Sequence, residues 1–505
     1  MQIQKLLGLF IGIMLLLFSM ESNGQSKPIF LQEFDRLTEE RTSDGISGFA
    51  LNLTKSAKIR TPFDFTIDSG KWNNSFTISS WIKAVEDFEE YQILELKVSY
   101  EDSSEVSWQI NKEVNHTWSM QISQGKTVWN YKPSYKNQTI CKDWNLITLS
   151  YDAIKNEVSL YYNDRQVAIY SLEGLDLNNK VSSIKLNVGG SYFGEIGEWK
   201  TFNGLLDEVQ VFNTALTNAD IVHYYQSFKK KSFINSSSTE IDSLRIMSFN
   251  IWHGGNETGK SIGHERIVSI IKSSSADIIC MQETYGSGAK IADELGYYFY
   301  LRGSNISIMS RYPILETLPS ANAFNNGNVH IQVGRHKVAI ASVWLNYPID
   351  YWSAIDKGEK LNIDIWKEKQ LGNKKTMESI VEVLKNSIEN SDQIPLVIAG
   401  DFNSGSHLDY IEATKHYNAG YVMPFPTSLY LQQLGFRDSF REVYPNPLKN
   451  RGITWSPLNS KTHQDRIDYI YLKGNKIRVL DSKIIDTSNF KYPSDHAAIL
   501  TTILL

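Results

Sequence analysis

Cysteine is scarce: Cys141 and Cys280 are the two among 505 residues. They lie far apart, in segments read below as different domains, so no disulfide is expected. Cys280 sits in an apolar strand pattern and reads as a small core residue. Long hydrophobic runs are just as scarce. One stretch, Leu6 to Phe18, is apolar, with Lys5 before it and Ser19, Ser22 and Gly24 after it. It is shorter than the ~20 residues that a membrane span needs, so residues 1–25 read as a cleaved secretory signal. No cysteine follows it, which argues against a lipid anchor. The mature protein is expected to be exported (secreted, periplasmic or at the cell surface) without stable membrane insertion. An excess of one charge sign is also missing. Fifty-one basic residues face 56 acidic ones, a net charge of −5. That balance points to no polyanionic partner for the chain as a whole.

A chain of this length exceeds one hydrophobic core, so two or three domains are expected. Aromatic residues are plentiful, with 12 Trp and 26 Tyr. Between residues 30 and 228 short strands alternate with polar turns. Phe76 to Ile82, Trp144 to Tyr151 and Glu157 to Tyr162 each alternate apolar and polar residues, and Asn163-Asp164 reads as a hairpin turn. This pattern predicts an all-β sandwich. Lys229 to Ser243, with its Lys run and Ser-rich stretch, reads as an exposed linker. From Leu244 onward strands and helices alternate. Strands are expected at 244–250, 277–282, 306–310, 338–345 and 395–399, with helices at 265–272 and 365–387. This is layered α/β architecture.

Polar groups stand where the apolar strands end. Asn250 closes the first, Glu283 follows the second, and Ile394 to Ala399 runs into Gly400-Asp401-Phe402-Asn403. On an extended chain Asp401 and Asn403 point the same way. Asp468 lies in the β-run Arg466 to Ile470, and Asp495-His496 pairs an acid with an imidazole near the end of the chain. Each has a bland reading: a turn, a helix N-terminal acid, or an Asp468–Arg466 ion pair. Together and in this order they predict a functional cluster at strand ends.

Residues 244–505 resemble the endonuclease/exonuclease/phosphatase superfamily, on these motifs and on Ile308 to Ile314 and Gly452 to Pro457. The resemblance implies a four-layer α/β sandwich and hydrolysis of a phosphodiester or phosphomonoester by in-line attack of water. It implies Mg²⁺ or Mn²⁺ held by Glu283, Asp495 and Asn250. Asp401 would orient or deprotonate the water. Asn403 and Asn250 would donate hydrogen bonds, and His496 would donate to a phosphoryl oxygen, held by Asp468 or by Asp465. One position departs from the family: Trp344 stands in Val343-Trp344-Leu345 where many members carry His, leaving Asn346, Tyr347 or a metal-bound water to serve the leaving group. In the first half, Phe202 to Phe212 with Ala215-Leu216-Thr217 resembles the laminin G/concanavalin A-like jelly-roll superfamily. That resemblance implies fold, with a glycan or protein ligand as its expected partner. Asp207 and Glu208 read as acids at a strand start, ahead of a calcium site.

Loops should set the substrate, with His253, Asn346 and His407 as candidate contacts. Residues 244–505 hold 28 basic and 26 acidic residues and no Lys/Arg cluster, so small phosphoesters and phospholipid headgroups stand beside nucleic acid. The expectation is an exported metal-dependent phosphoesterase. The rival is a glycan- or matrix-binding adhesion protein whose second domain is inactive. Oligomeric state is not legible.

Overall fold

The computed structural model describes residues 26–505, apart from 36–41, 59, 178, 194–197, 230–242, 261 and 460. The expected signal at 1–25 lies outside the described residues, as does nearly all of the linker. The chain divides into two compact units, Met1–Phe233 and Ile234–Leu505.

The first unit is a sandwich of two antiparallel sheets. One runs Thr42–Asp44, Phe49–Asn52, Gly204–Phe212, Phe76–Ala84, Asn145–Asp152, Glu157–Tyr162, Arg165–Ser171 in spatial order. The other runs Phe63–Ile67, Val181–Val188, Tyr91–Tyr100, Glu105–Lys112, Trp118–Gln124, Thr127–Tyr131. Aromatic rings join them: Phe76 of one sheet meets Trp108 of the other edge-on at 4.8 Å. Trp81, Trp108 and Trp118 are fully buried. The Asn163-Asp164 turn joins Tyr162 to Arg165 as expected, with Asn163 at φ 59. The all-β expectation misses one helix, Asn218–Phe228. Its signal was in the sequence: Thr217 and Asp220 form a capping box that satisfies orphan N–H groups of the first turn.

Asp207 and Glu208 stand in mid-strand, not at a strand start. They sit at a β-bulge, where the register shifts between Asp207 and Gln210 and Glu208 takes φ 48. Asp207 accepts N–H groups from Ile46 and Glu208 at 2.9 Å each. Burial raises its pKa to about 7. Burial, and then Asp207 beside it, raises that of Glu208 to about 8. Both groups hold a proton in the fold that they lose in the unfolded chain above the ordinary carboxyl range. Stability from this pair is therefore full below pH ~4 and is lost as pH rises through 7 to 8. We expect Glu208→Gln to flatten that decline, seen as a higher melting temperature for the sandwich transition at pH 9. Parallel pH profiles for variant and wild type would refute this.

The second unit is also built on two sheets. The first runs Tyr298–Leu301, Ser307–Ser310, Ile278–Gln282, Ser243–Asn250, Ala498–Leu504, Arg478–Ile485. The second runs Ile314–Leu318, Asn326–Val333, His336–Trp344, Leu396–Asp401, Asp468–Lys473, Arg437–Asp438. They face each other, and a bond from Gln282 Nε2 to Ser342 Oγ at 3.3 Å crosses between them. Helices cover the outer faces. Met377 and Ile380 of the Ile363–Val383 helix pack on Leu396 and Ile398. The Gly263–Ser274 helix buries Ile267, Ile270 and Ile271. Burial of each such aliphatic side chain contributes ~1.5–3 kcal/mol. Cys141 and Cys280 are free and buried, one in each unit.

Candidate active site

Strand register sets the core of the site. Asn250 pairs with Gln282 in parallel strands, which brings the end of one strand beside Glu283. In the other sheet Asp401 pairs with Asp468 across antiparallel strands and with Trp344 across parallel ones. Two carboxylates thus sit directly opposite, which is destabilising without a counter-charge. His496 supplies it. Its Nδ1 is 2.9 Å from Asp468 Oδ2 and its Nε2 is 3.8 Å from Asp401 Oδ2. Burial pushes the imidazole pKa down, but Asp468 and Asp401 outweigh it and hold His496 well above its ordinary value. Asp401, 1% exposed, is raised by burial first and by Asp468 next, with His496 opposing.

At the acids the two sheets are joined by the amide of Asn250. Asn250 Nδ2 donates to Glu283 Oε1 and to Asp401 Oδ2, both at 3.1 Å. Its Oδ1 accepts the Trp252 N–H at 3.0 Å, so both ends of the amide are fixed. Glu283 Oε2 accepts the His253 N–H at 2.9 Å. Asn403 reaches Asp401 by a route other than the expected one. The strand ends at Asp401, and Asn403 adopts φ 46 beyond it. Its N–H bonds Asp401 Oδ1 at 2.8 Å and its Nδ2 bonds Asp401 Oδ2 at 3.1 Å. An Asx turn, not strand alternation, brings the pair together. Trp252, His253, Glu283 and Asn403 all carry positive φ. That concentrates backbone strain of order 1–3 kcal/mol per residue around the cluster.

Asp495 completes it. Burial raises its pKa, with Glu283 adding and His496 and a bond from Trp455 opposing. Its Oδ1 is buried with no partner. An unpaired carboxylate oxygen beside a second acid suits a cation, and an all-oxygen set from Glu283 and Asp495 suits Mg²⁺ or Mn²⁺. Asp401, Asp468 and His496 also offer ligand atoms within 4.8 Å of one another. His496 already faces the pair Asp401 and Asp468 as their counter-charge, so of the two sets Glu283 and Asp495 offer a cation the less occupied oxygens.

One expected contact falls away and two open alternatives close. His407 is not in the cluster: its Nδ1 is 2.8 Å from Ser428 Oγ and its Nε2 3.0 Å from Gln432 Oε1, so both nitrogens fasten its loop to the Pro426–Gln433 helix. The choice between Asp465 and Asp468 resolves to Asp468, because Asp465 accepts the hydroxyls of Tyr351 and Tyr410 at 2.7 and 2.8 Å. Arg466 pairs with Asp409 and Asp438, both at 2.8 Å, leaving Asp468 to His496. His253 does reach the site, with Nδ1 2.8 Å from Glu257 and Nε2 3.7 Å from Glu283. Asn346 is exposed just beyond Leu345, whose carbonyl accepts Asn403 Nδ2 at 2.7 Å.

Trp455, Asn305 and Thr454 were missed as site residues. The Thr454 hydroxyl accepts the N–H groups of Ile467 and Asp468 at 3.0 and 3.1 Å. Its carbonyl accepts the Ala497 N–H at 2.6 Å. One residue therefore anchors both Asp468 and the neighbour of His496. Thr454→Val keeps shape but leaves two buried N–H groups unpaired, at ~1–3 kcal/mol in stability. Turnover is expected to fall roughly tenfold, with Thr454→Ser restoring most of both. If Thr454→Val melted and turned over like wild type, the anchor would be dispensable.

Residues 247–496 carry a domain of the Endonuclease/Exonuclease/phosphatase family, a hydrolase-like domain with that family's α/β sandwich. Residues 53–222 carry a domain of the Concanavalin A-like lectin/glucanases superfamily. An uncharacterized protein of Caenorhabditis elegans is 28% identical over 303 residues, 53% of this chain and 93% of that protein. The non-toxic nonhemagglutinin type D of Clostridium botulinum D phage is 24% identical over 208 residues, 39% of this chain and 15% of that protein. Among solved structures, truncated TDP2 of Caenorhabditis elegans is 17% identical, covering 52% of this chain and 98% of its own, at TM-score 0.36. An endonuclease/exonuclease/phosphatase of Beutenbergia cavernae is also 17% identical, covering 52% and 72%, at TM-score 0.37.

Proposed function

We propose that this is an exported, divalent-metal-dependent phosphoesterase that hydrolyses its substrate by in-line attack of water. The observation that carries the reading is the convergence of Asn250, Glu283, Asp401, Asn403, Asp468, Asp495 and His496 from both sheets. Asp401, made more basic by burial, takes the proton of the attacking water. Asn403 and Asn250 fix the orientation of its two oxygens. His496, kept charged and held at Nδ1 by Asp468, donates from Nε2 to a phosphoryl oxygen where negative charge develops. Glu283 and Asp495 would hold Mg²⁺ or Mn²⁺, which when bound would neutralise phosphoryl charge. His253, beside Glu283, is placed to touch the phosphate.

The sandwich unit is proposed to bind a glycan or protein ligand. An open groove of ≈ 750 Å³ lies on it, lined by Glu95, Lys97, Ser107, Gln109, Ser123 and Gln124 among others. Hydroxyls, amides and carboxylates suit a polyhydroxylated partner. The test is turnover of a panel of DNA, RNA, inositol phosphates and sphingomyelin with Mg²⁺, beside a glycan array probed with the full chain. Export is read from the first residue of the protein recovered outside the cytoplasm. Absence of turnover across the panel with a positive array would favour an adhesion protein instead.

A further inference from the structure

Beyond Gln282 the chain leaves strand geometry. Glu283 takes φ 56, Tyr285 φ 33 and Gly286 φ 85. Glycine adopts such values freely, whereas a Cβ makes them unfavourable. A left-handed glutamate therefore persists only where its surroundings hold it. Every polar group of Glu283 is held. Its N–H donates to Asn305 Oδ1 at 2.8 Å, and its carbonyl accepts the Gly254 N–H at 2.7 Å. Its two carboxylate oxygens accept Asn250 Nδ2 at 3.1 Å and the His253 N–H at 2.9 Å.

Asn305 makes the exchange that this turn requires. The antiparallel pairing of Ile278–Gln282 with Ser307–Ser310 stops at Met281 and Ser307. Two steps further in the same register, Glu283 stands opposite Asn305. A regular ladder meets its N–H groups with main-chain oxygens. Here the Asn305 side chain supplies the oxygen for Glu283, and the Asn305 carbonyl goes to the Thr284 N–H at 3.1 Å. The Ser304 carbonyl takes the Tyr285 N–H at 2.9 Å. Three successive N–H groups are thus satisfied although the backbone has turned out of the sheet. Asn305 is fully buried, and its Nδ2 donates to the Phe324 carbonyl at 2.8 Å, so both ends of its amide are fixed. Both of these side-chain bonds go to main-chain groups.

We propose, resting on the metal assignment above, that Asn305 is a positioning residue for the divalent ion. It fixes the left-handed backbone of Glu283, and through that the affinity for Mg²⁺, without touching ion or substrate. Groups that orient a metal ligand typically change metal affinity by about ten- to a hundredfold when removed.

The test is calorimetric titration of the full chain with Mg²⁺, and in parallel with Mn²⁺, in the absence of substrate. Asn305→Leu keeps the branched shape and removes both side-chain bonds. It is expected to raise the Mg²⁺ Kd at least about tenfold. Asn305→Ser, too short to reach the Glu283 N–H, takes its place if Asn305→Leu shows no cooperative melting. Asn305→Asp retains an oxygen for that N–H and is expected to bind Mg²⁺ no more weakly than wild type. Thr501→Val reports what lost stability alone does. Thr501 is fully buried, and its hydroxyl meets those of Ser439 and Ser482 at 2.8 and 3.0 Å. That variant should melt at a lower temperature and keep the wild-type Kd. Three results would each overturn the proposal and leave the metal assignment standing: a Kd unmoved when the Asn305 amide is removed, a Kd raised as much by Thr501→Val, or Asn305→Asp as weak as Asn305→Leu. Absence of Mg²⁺ and Mn²⁺ binding to the wild type overturns the metal assignment, and this proposal with it.

Discussion

Asparagine in place of Asp401 is expected to lower kcat for phosphoester hydrolysis by about 10²–10⁴-fold, the range associated with loss of a positioned general base. The fold should survive. Asparagine keeps an oxygen to accept the Asn403 N–H that Asp401 Oδ1 accepts at 2.8 Å. The exchange also removes one of two carboxylates that face each other across the strands. Burial raises the folded pKa of Asp401 above its ordinary value. Its ionised form is therefore a cost to folding that grows as pH rises through the folded pKa, and the variant escapes that cost at alkaline pH. Against this, His496 loses one of the two acids that keep it charged. The net change in melting temperature is expected to be small beside the kinetic loss. Activity within threefold of wild type would remove Asp401 from the chemistry. A collapse in melting temperature would make its role structural.

The second large effect is removal of the divalent ion. Chelation is expected to abolish turnover, and added Mg²⁺ or Mn²⁺ to restore it. Glu283→Gln should raise the Mg²⁺ concentration at half-maximal rate by at least about tenfold. The substitution preserves volume but exchanges a charged oxygen for an amide. That group no longer accepts both the Asn250 amide at 3.1 Å and the His253 N–H at 2.9 Å. It also leaves Asp495, whose Oδ1 has no protein partner, to hold the ion alone. Calorimetric titration with Mg²⁺ measures the same loss without turnover. Chelator-resistant activity, or identical Mg²⁺ curves for variant and wild type, would end the metal assignment.

Much of the second unit was legible because β-branched runs mark buried strands and polar residues mark where they stop. The strands ending at Asn250, Gln282 and Asp401 fall within a residue or two of their expected ends. The Asp495-His496 pair was legible as an adjacent acid and imidazole. What depends on long-range pairing was not. The bond between Asn250 and Asp401 joins residues 151 apart in the chain. No local pattern separates Asp465 from Asp468, since only the strand register puts one against His496 and the other against two tyrosines. Thr454 and Asn305 act largely through bonds to main-chain groups, which leave no chemical signature in the residues they support. His407 misled for the opposite reason: a loop imidazole near a catalytic strand looks available until its hydroxyl and amide neighbours are seen. In the first unit the closing helix was overlooked although its Thr217 and Asp220 cap was in plain view, because strand periodicity dominated the surrounding sequence.

The facing of Asp401 and Asp468 has a consequence for how such a domain can diversify. Their spacing is decided by main-chain pairing of two neighbouring strands, so much of the path between them, apart from residues such as Asn403 and Thr454 that hold the acids in place, is released from setting it. Segments there can lengthen, shorten or be exchanged over generations, and the facing pair of acids will reassemble provided the two strands zip in step and Asn403 and Thr454 keep their places. New specificities can then arise by remodelling that excursion while the chemistry is inherited whole.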